Sequence, residues 1–305
     1  MVIPAVMIFV GANAASGSGA VWEVCGEIMI DTSQVSIVIP HLGQTSEQEY
    51  ALDQCLQSLK ETFSGKILVV ANGRKTCNHE WNIHIADQGQ CKAVNAAAAT
   101  VNTPWIFVTN DDMVYAPNWF EKLTKPINLQ MESSVPSYEI KCISPKLIEP
   151  RAGAPTFEVY FCGGAGGDFD KVKWLEFVSN YKGQGLRTGF NLPFLIKKEL
   201  WDLISGYDVA YDPWGSNGDS DLQAKIHLAG IQPYQNTNAI VYHFAETSGT
   251  SSPENRPYWQ KNWDYFISKF GFERQSSPMV WESVDIINYN KLKYKPFWMN
   301  HYAIT

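Results

Sequence analysis

Two acidic clusters and one strand histidine carry the residue types that chemistry on a polar, charged ligand requires. Asn110-Asp111-Asp112-Met113 follows the apolar run Trp105 to Thr109, which puts two adjacent carboxylates at a strand end. Adjacent carboxylates repel unless a cation or solvent offsets their charge. Hard oxygen donors suit Mg2+ or Mn2+, ions that commonly take one or two carboxylates plus phosphate oxygens. The same residues also fit a turn and helix cap ahead of Pro117. The second cluster, Asp212 to Leu222 (DPWGSNGDSDL), combines Trp214 and Gly215 with Asp219 and Asp221 at a helix start. There a carboxylate either complements the helix dipole or takes a hydroxyl proton as a general base. His243, inside the apolar strand VYHF, fits both a core residue and a ligand.

These groups act together only if the fold collects them. Val35 to Ile39 (VSIVI), Lys66 to Ala71 (KILVVA), Ile83 to Ala86 and Trp105 to Thr109 (WIFVT) read as four short strands. Pro40 is expected to halt the first. A helix follows it, with Ser46-x-x-Glu49 as a capping box and Leu52, Leu56, Leu59 and Phe63 at helical spacing. An alanine-rich helix covers Gln90 to Thr100. The order β-α-β-β-α-β with apolar strands implies a mainly parallel α/β sheet with helices on both faces. Further strands are expected at 142–148, 157–161, 188–196 and 239–244, and helices at 197–204, from Asp219 to Gly230, and at 254–270. Ligands of such sheets bind beyond the carboxyl ends of the strands. Pro40-His41, Asn72-Gly73, Asp87 and Asn110 to Asp112 would all lie there.

The 305 residues allow one large domain, and no clean linker divides 35–305. Residues 1–34 read as a flexible appendage: Val2 to Val10 is too short to span a bilayer and lacks a basic flank. A net charge of −7 argues against nucleic acid, which needs a concentrated basic face. The six cysteines form no CxxC pair, so reduced thiols and a cytoplasmic setting are expected, with at most peripheral membrane contact. The region 246–305 is assigned to a C-terminal helix and tail on the acceptor side or at a homodimer contact.

In order and spacing the segments resemble a family 2 glycosyltransferase of GT-A fold, over roughly residues 35–245. VSIVIP resembles the opening strand, LVVANG the second strand and its nucleotide-facing turn, and DQGQCKAVN (Asp87 to Asn95) the glycine-to-asparagine segment. WIFVTNDDM resembles the strand bearing the DXD motif, Gly206-Tyr207-Asp208 with GDSDLQAKIHLAG the late acidic helix, and VYHF the strand whose histidine completes a metal site. The resemblance implies a GT-A, Rossmann-like domain, with 35–125 binding nucleotide and 126–245 binding acceptor. It also implies inverting transfer from a nucleotide sugar, UDP-linked by preference, to a glycan or other hydroxyl acceptor, which a lipid-linked chain, a polysaccharide or a protein could carry, as in polysaccharide biosynthesis. Asp112 and His243 would hold Mn2+ or Mg2+, and Asp219, with Asp221 next to it, would supply the base. Pro40, His41, Asn72, Asp87, Lys92, Asn95 and Asp111 would line the nucleotide pocket. Trp214, Gly215 and Trp174 would meet the sugar or acceptor.

Two positions depart from the family pattern: Asn110 replaces the first DXD carboxylate, and Gly218 stands where glutamate is usual. They support a rival reading, a silent homologue that binds nucleotide or glycan without turnover, against which Asp112, Asp219 and His243 speak, so the transferase is placed ahead. A sugar-phosphate nucleotidyltransferase is less favoured, because the loop after the first strand, His41 to Thr45, contains no Lys or Arg. A dehydrogenase is excluded by the missing GxGxxG fingerprint.

Overall fold

The structure, a computed structural model, describes residues 29–72, 83–85, 89–132, 139–151, 158–245, 247 and 253–270. The first half runs β1 (Val35–His41), α1 (Ser46–Thr62), β2 (Lys66–Asn72), β3 (Ile83–Ile85), α2 (Gln90–Ala98), β4 (Trp105–Val108), β5 (Met113–Tyr115) and α3 (Trp119–Glu132). The second runs β6 (Cys142–Glu149), β7 (Glu158–Val159), α4 (Lys171–Asn180), β8 (Leu186–Thr188), β9 (Phe194–Lys197), α5 (Lys198–Leu203), α6 (Gly218–Leu228), β10 (Tyr234–His243) and α7 (Arg256–Phe270). All ten strands join one sheet, with order β3-β2-β1-β4-β9-β6-β10-β5 and with β7 on β6 and β8 on β10. Strands β1 to β4, β6, β7 and β10 share one direction, while β5, β8 and β9 oppose it. This is the mixed, mainly parallel α/β sheet of the GT-A expectation.

Side chains alternate across the sheet because successive strand residues face opposite sides. Val38, Leu68, Val70, Ile106 and Val108 pack on one face with α2, α5, α6 and α7. Ile37, Ile39, Val69, Trp105 and Phe107 pack on the other with α1 and α3. The sheet is therefore buried on both sides, which is why its strands read as continuous apolar runs. A smaller third cluster forms under α4, around Trp174, Tyr242 and Phe244.

Local departures from the expected elements have physical causes. Pro40 does not end β1, because β4 pairs only as far as Val38, and the missing N–H costs no ladder bond to that neighbour. Thr45, not Ser46, caps α1, accepting from the Gln48 amide at 3.3 Å. The expected strand at 188–196 is two strands, β8 and β9, in different parts of the sheet. The domain also begins before Val35: Ile30 is buried and its amide donates to the Asn128 side chain. The rest of the proposed appendage, and the tail beyond Phe270, lie outside the described residues. Among the described residues, no helix is long and apolar enough to cross a membrane.

Candidate active site

The site grows from the reversal after β4. Thr109 still donates to the Val38 carbonyl, then Asn110 to Asp112 turn the chain back into β5. Strand β5 pairs antiparallel with β10, setting Met113 opposite His243, and the Phe244 amide donates to the Asp112 carbonyl. Backbone register thus brings Asp112 to His243, whose Nε2 lies 3.3 Å from Asp112 Oδ2. Strand β6 runs parallel on the other side of β10, with Ile148 beside Tyr242, so its final residue, Glu149, reaches His243 Nδ1 at 2.7 Å. Asp112 Oδ2 also accepts from Thr247 Oγ1 at 2.8 Å, whereas Oδ1 is buried without a hydrogen-bond partner.

The charge balance of this group points to a cation. Burial disfavours a charged imidazole, but Asp112 and then Glu149 outweigh it and raise His243 to about 10. Burial likewise pushes the Asp112 carboxyl up, yet His243 and Thr247 prevail and hold it below the usual carboxylate range. Two buried carboxylates thus retain a proton on the imidazole between them. A divalent ion would offset the same charge after displacing that proton, since a ligating histidine must be neutral. The orphaned Oδ1, the carboxylate–imidazole donor pair and the carboxylate behind the ring fit a Mg2+ or Mn2+ ion that draws its other ligands from phosphate and water. Among the described residues, no group of three or more His, Cys, Asp or Glu side chains could hold a metal ion, so a cation here would have two protein ligands at most.

Asp111 diverges from Asp112 toward His41 Nδ1, so the adjacent carboxylates each have a histidine. Burial lowers His41, but Asp111 and then Glu49 outweigh it and raise its pKa. His41 is fully buried and supports Asp111 from behind, which corrects its assignment to the nucleotide-facing wall. Pro40, Asn72, Asp111, Asp112 and Trp214 do line one cleft, together with Gln90, Asn110 and Thr247. Within it the Asn72 side chain accepts from the Gly89 amide at 2.7 Å and so fixes the entry to α2.

The late acidic segment is tied to the same helix. Asp212 accepts from the Cys91 amide at 2.8 Å and the Lys92 amide at 3.1 Å, capping α2 from another part of the chain. A Cβ on Gly89 would lie 2.6 Å from that carboxylate, which explains the glycine. Gly215 has φ +67°, and a Cβ there would press on Gln90 at 2.9 Å. The loop bearing Trp214 therefore lies directly on the start of α2, and Asn262 of α7 holds it from behind by donating to the Tyr211 and Ser216 carbonyls. Because Asn72 and Asp212 occupy the first amides of α2, that helix end is not a ready anion cradle. The Lys92 side chain is exposed.

Asp219 and Asp221 have separate environments. Tyr207 OH donates to Asp219 Oδ1 at 2.6 Å, and Asn95 clamps Tyr207 by accepting from its amide and donating to its carbonyl. Asn95 thus positions a site residue instead of meeting nucleotide. Burial raises the Asp219 carboxyl above its ordinary value, with the Tyr207 hydroxyl acting in opposition. Asp219 is not among the residues lining the cleft. Asp221 is fully buried, receiving hydrogen bonds from Lys269 at 2.6 Å and Tyr211 at 3.1 Å, with Lys225 at 3.5 Å. That network joins α6 to α7 and removes Asp221 from the candidate bases. Trp174 is also corrected: its ring is buried against Phe177 and Tyr242, leaving no face for a sugar. Asp87 lies outside the described residues.

Sequence reading missed Glu149, Gln90, Asp212, Tyr207 and Thr247. The first had a usable signal, since Glu149 directly follows the expected strand 142–148 at its carboxyl end. The others depend on contacts distant in sequence.

Residues 82–173 match the sequence profile described as glycosyl transferase family 2. No curated protein matches the chain. Among solved structures, GalNAc-T7 with UDP, GalNAc and Mn2+ aligns at TM-score 0.47 and 15% identity, over 88% of this chain and 57% of that one. The S. aureus TarS fragment 1–349 aligns at TM-score 0.47 and 11% identity, over 79% of this chain and 73% of that one. The chain therefore spans little more than half of the GalNAc-T7 chain.

Proposed function

We propose that this chain, whose residues 82–173 match the glycosyl transferase family 2 profile, transfers a sugar from a nucleotide-linked donor, UDP-linked by preference, to a hydroxyl acceptor with inversion at the anomeric carbon. The observation that carries the reading is the Asp112–His243 pair, in which Asp112 lines the cleft and its buried Oδ1 has no hydrogen-bond partner. Asp112 and His243 would hold a divalent ion, whose chemistry there would be Lewis-acid neutralisation of diphosphate charge. Pro40, Asn72 and Asp111 border the nucleotide, and Trp214, on a loop braced by α2 and α7, borders the sugar or acceptor. Asp219 takes the proton of the acceptor hydroxyl as its oxygen bonds to the anomeric carbon. The bond from that carbon to the diphosphate oxygen breaks on the opposite face, and the electron pair leaves with the diphosphate. Partial burial favours this role, because a carboxylate of raised pKa is a better base.

A second reading, nucleotide or glycan binding without transfer, draws on Asn110. Its side-chain oxygen is taken by Gln90 Nε2 at 3.2 Å where the family carries a carboxylate. Thermal unfolding with UDP, GDP and dTDP, each with and without Mn2+, tests the donor site. Binding at a hundredfold excess over Kd adds about 2.7 kcal/mol of stability. A shift that needs both one nucleotide and Mn2+, joined to release of that nucleotide from its sugar conjugate, supports transfer. A shift without release supports the binding reading, and no shift overturns the donor site.

A further inference from the structure

We propose that Glu149 is a positioning residue that sets the imidazole of His243 for metal capture. The inference rests on the reading of Asp112 and His243 as the metal-holding pair. Glu149 is 4% exposed and ends β6, where the Tyr160 amide donates to its carbonyl and β7 pairs beside it. Its carboxylate therefore sits on a fixed backbone and meets His243 Nδ1 at 2.7 Å.

A neutral imidazole has one N–H and one lone pair, and its neighbours decide which nitrogen carries which. When a cation displaces the second proton, the carboxylate on Nδ1 holds the remaining hydrogen there and leaves the Nε2 lone pair, 3.3 Å from Asp112, for the metal. Without Glu149 the alternative tautomer is favoured: Nε2–H donates to Asp112 and obstructs the position a cation needs. The carboxylate also makes the ring a stronger donor, as outer-shell carboxylates of metal histidines do. The buried Asp112 Oδ1, which has no hydrogen-bond partner, is independently suited to take a cation on that side of the pair. Sheet register places all three groups: β5 sets Asp112 on one flank of His243, and β6 sets Glu149 on the other.

The test is calorimetric titration of Mn2+ into the full chain saturated with UDP, for wild type, Glu149→Gln, Glu149→Leu and Asp112→Asn. UDP affinity without metal and the unfolding midpoint are measured alongside. Glu149→Leu is expected to weaken Mn2+ binding by roughly ten- to a hundredfold. Glu149→Gln, whose amide oxygen still accepts from Nδ1–H, should fall between Leu and wild type and keeps the fold if Leu does not. Metal-free UDP affinity should stay unchanged in both, which a general loss of structure would not allow. Wild-type Mn2+ affinity in the Glu149 variants overturns this proposal alone. Absence of Mn2+ binding in the wild type overturns the metal site and the proposal with it.

Discussion

The Tyr207 hydroxyl donates to Asp219 at 2.6 Å, and Tyr207 itself is clamped through amide and carbonyl by Asn95 of α2. The proposed base is thus oriented by a residue whose backbone is pinned to the helix that also builds the cleft. Tyr207→Phe removes the hydroxyl while keeping the ring packed on Trp201. With the carboxylate no longer held in place, kcat/KM should fall roughly ten- to a hundredfold, as misplacement of a reacting group does. Because burial already raises the Asp219 carboxyl and the hydroxyl opposes that rise, the acid limb of the pH–rate profile should move to higher pH. A profile with an unmoved limb would assign the base elsewhere.

Asp221 separates a structural carboxylate from a catalytic one. Its partners Lys225 and Lys269 are both buried or nearly so, and Asp221→Asn leaves them without that compensating charge. Breaking a buried pair from one side costs about 3–5 kcal/mol, so the urea midpoint should drop sharply. A variant of unchanged stability that had lost turnover would return Asp221 to the catalytic set.

Much of the architecture was legible because it depends on local pattern. The β-branched strands, the alanine-rich α2 and the late helix ending near Gly230 all follow from periodicity and turn residues. Strand β5 was not legible, since its three residues gain strand character only by pairing with β10. In the site, the Asp112–His243 pairing was expected from the order of motifs. The division of labour around it was not: Asn72, Asn95 and His41 have the polarity of ligand contacts but spend it on Gly89, Tyr207 and Asp111. Trp174 shows the same limit, because an aromatic suited to stacking is equally suited to a core, and burial decides.

Asp212 and Lys92 meet through backbone chemistry, and the two substitutions should therefore differ. Asp212→Ala strips the Cys91 and Lys92 amides of their acceptor and should cost about 0.5–2 kcal/mol, as lost helix caps do. It should also weaken nucleotide binding, since Gln90 and Trp214 line the cleft on either side of that contact. Lys92→Met keeps the amide and alters an exposed side chain, so stability should change by no more than about 0.5 kcal/mol. A selective loss of UDP affinity in Lys92→Met, measured by calorimetry, would give that side chain the ligand role the family resemblance implies.

His227, near the end of α6, provides a pH-dependent test of packing away from the cleft. Burial disfavours its charged form and lowers its pKa from 6.5 to about 4. The unfolded chain therefore binds a proton on this residue at a higher pH than the folded chain does. Its contribution is complete above pH 6.5 and is lost as pH falls from there toward 4. At pH 5 the loss amounts to about 2 kcal/mol, since one pKa unit corresponds to about 1.4 kcal/mol. His227→Gln has no charge to acquire, so its urea midpoint should fall less than that of the wild type between pH 7 and pH 5. Equal losses in the two proteins would mean that the folded state accepts the imidazolium, and that α6 opens to water at its C-terminal turn.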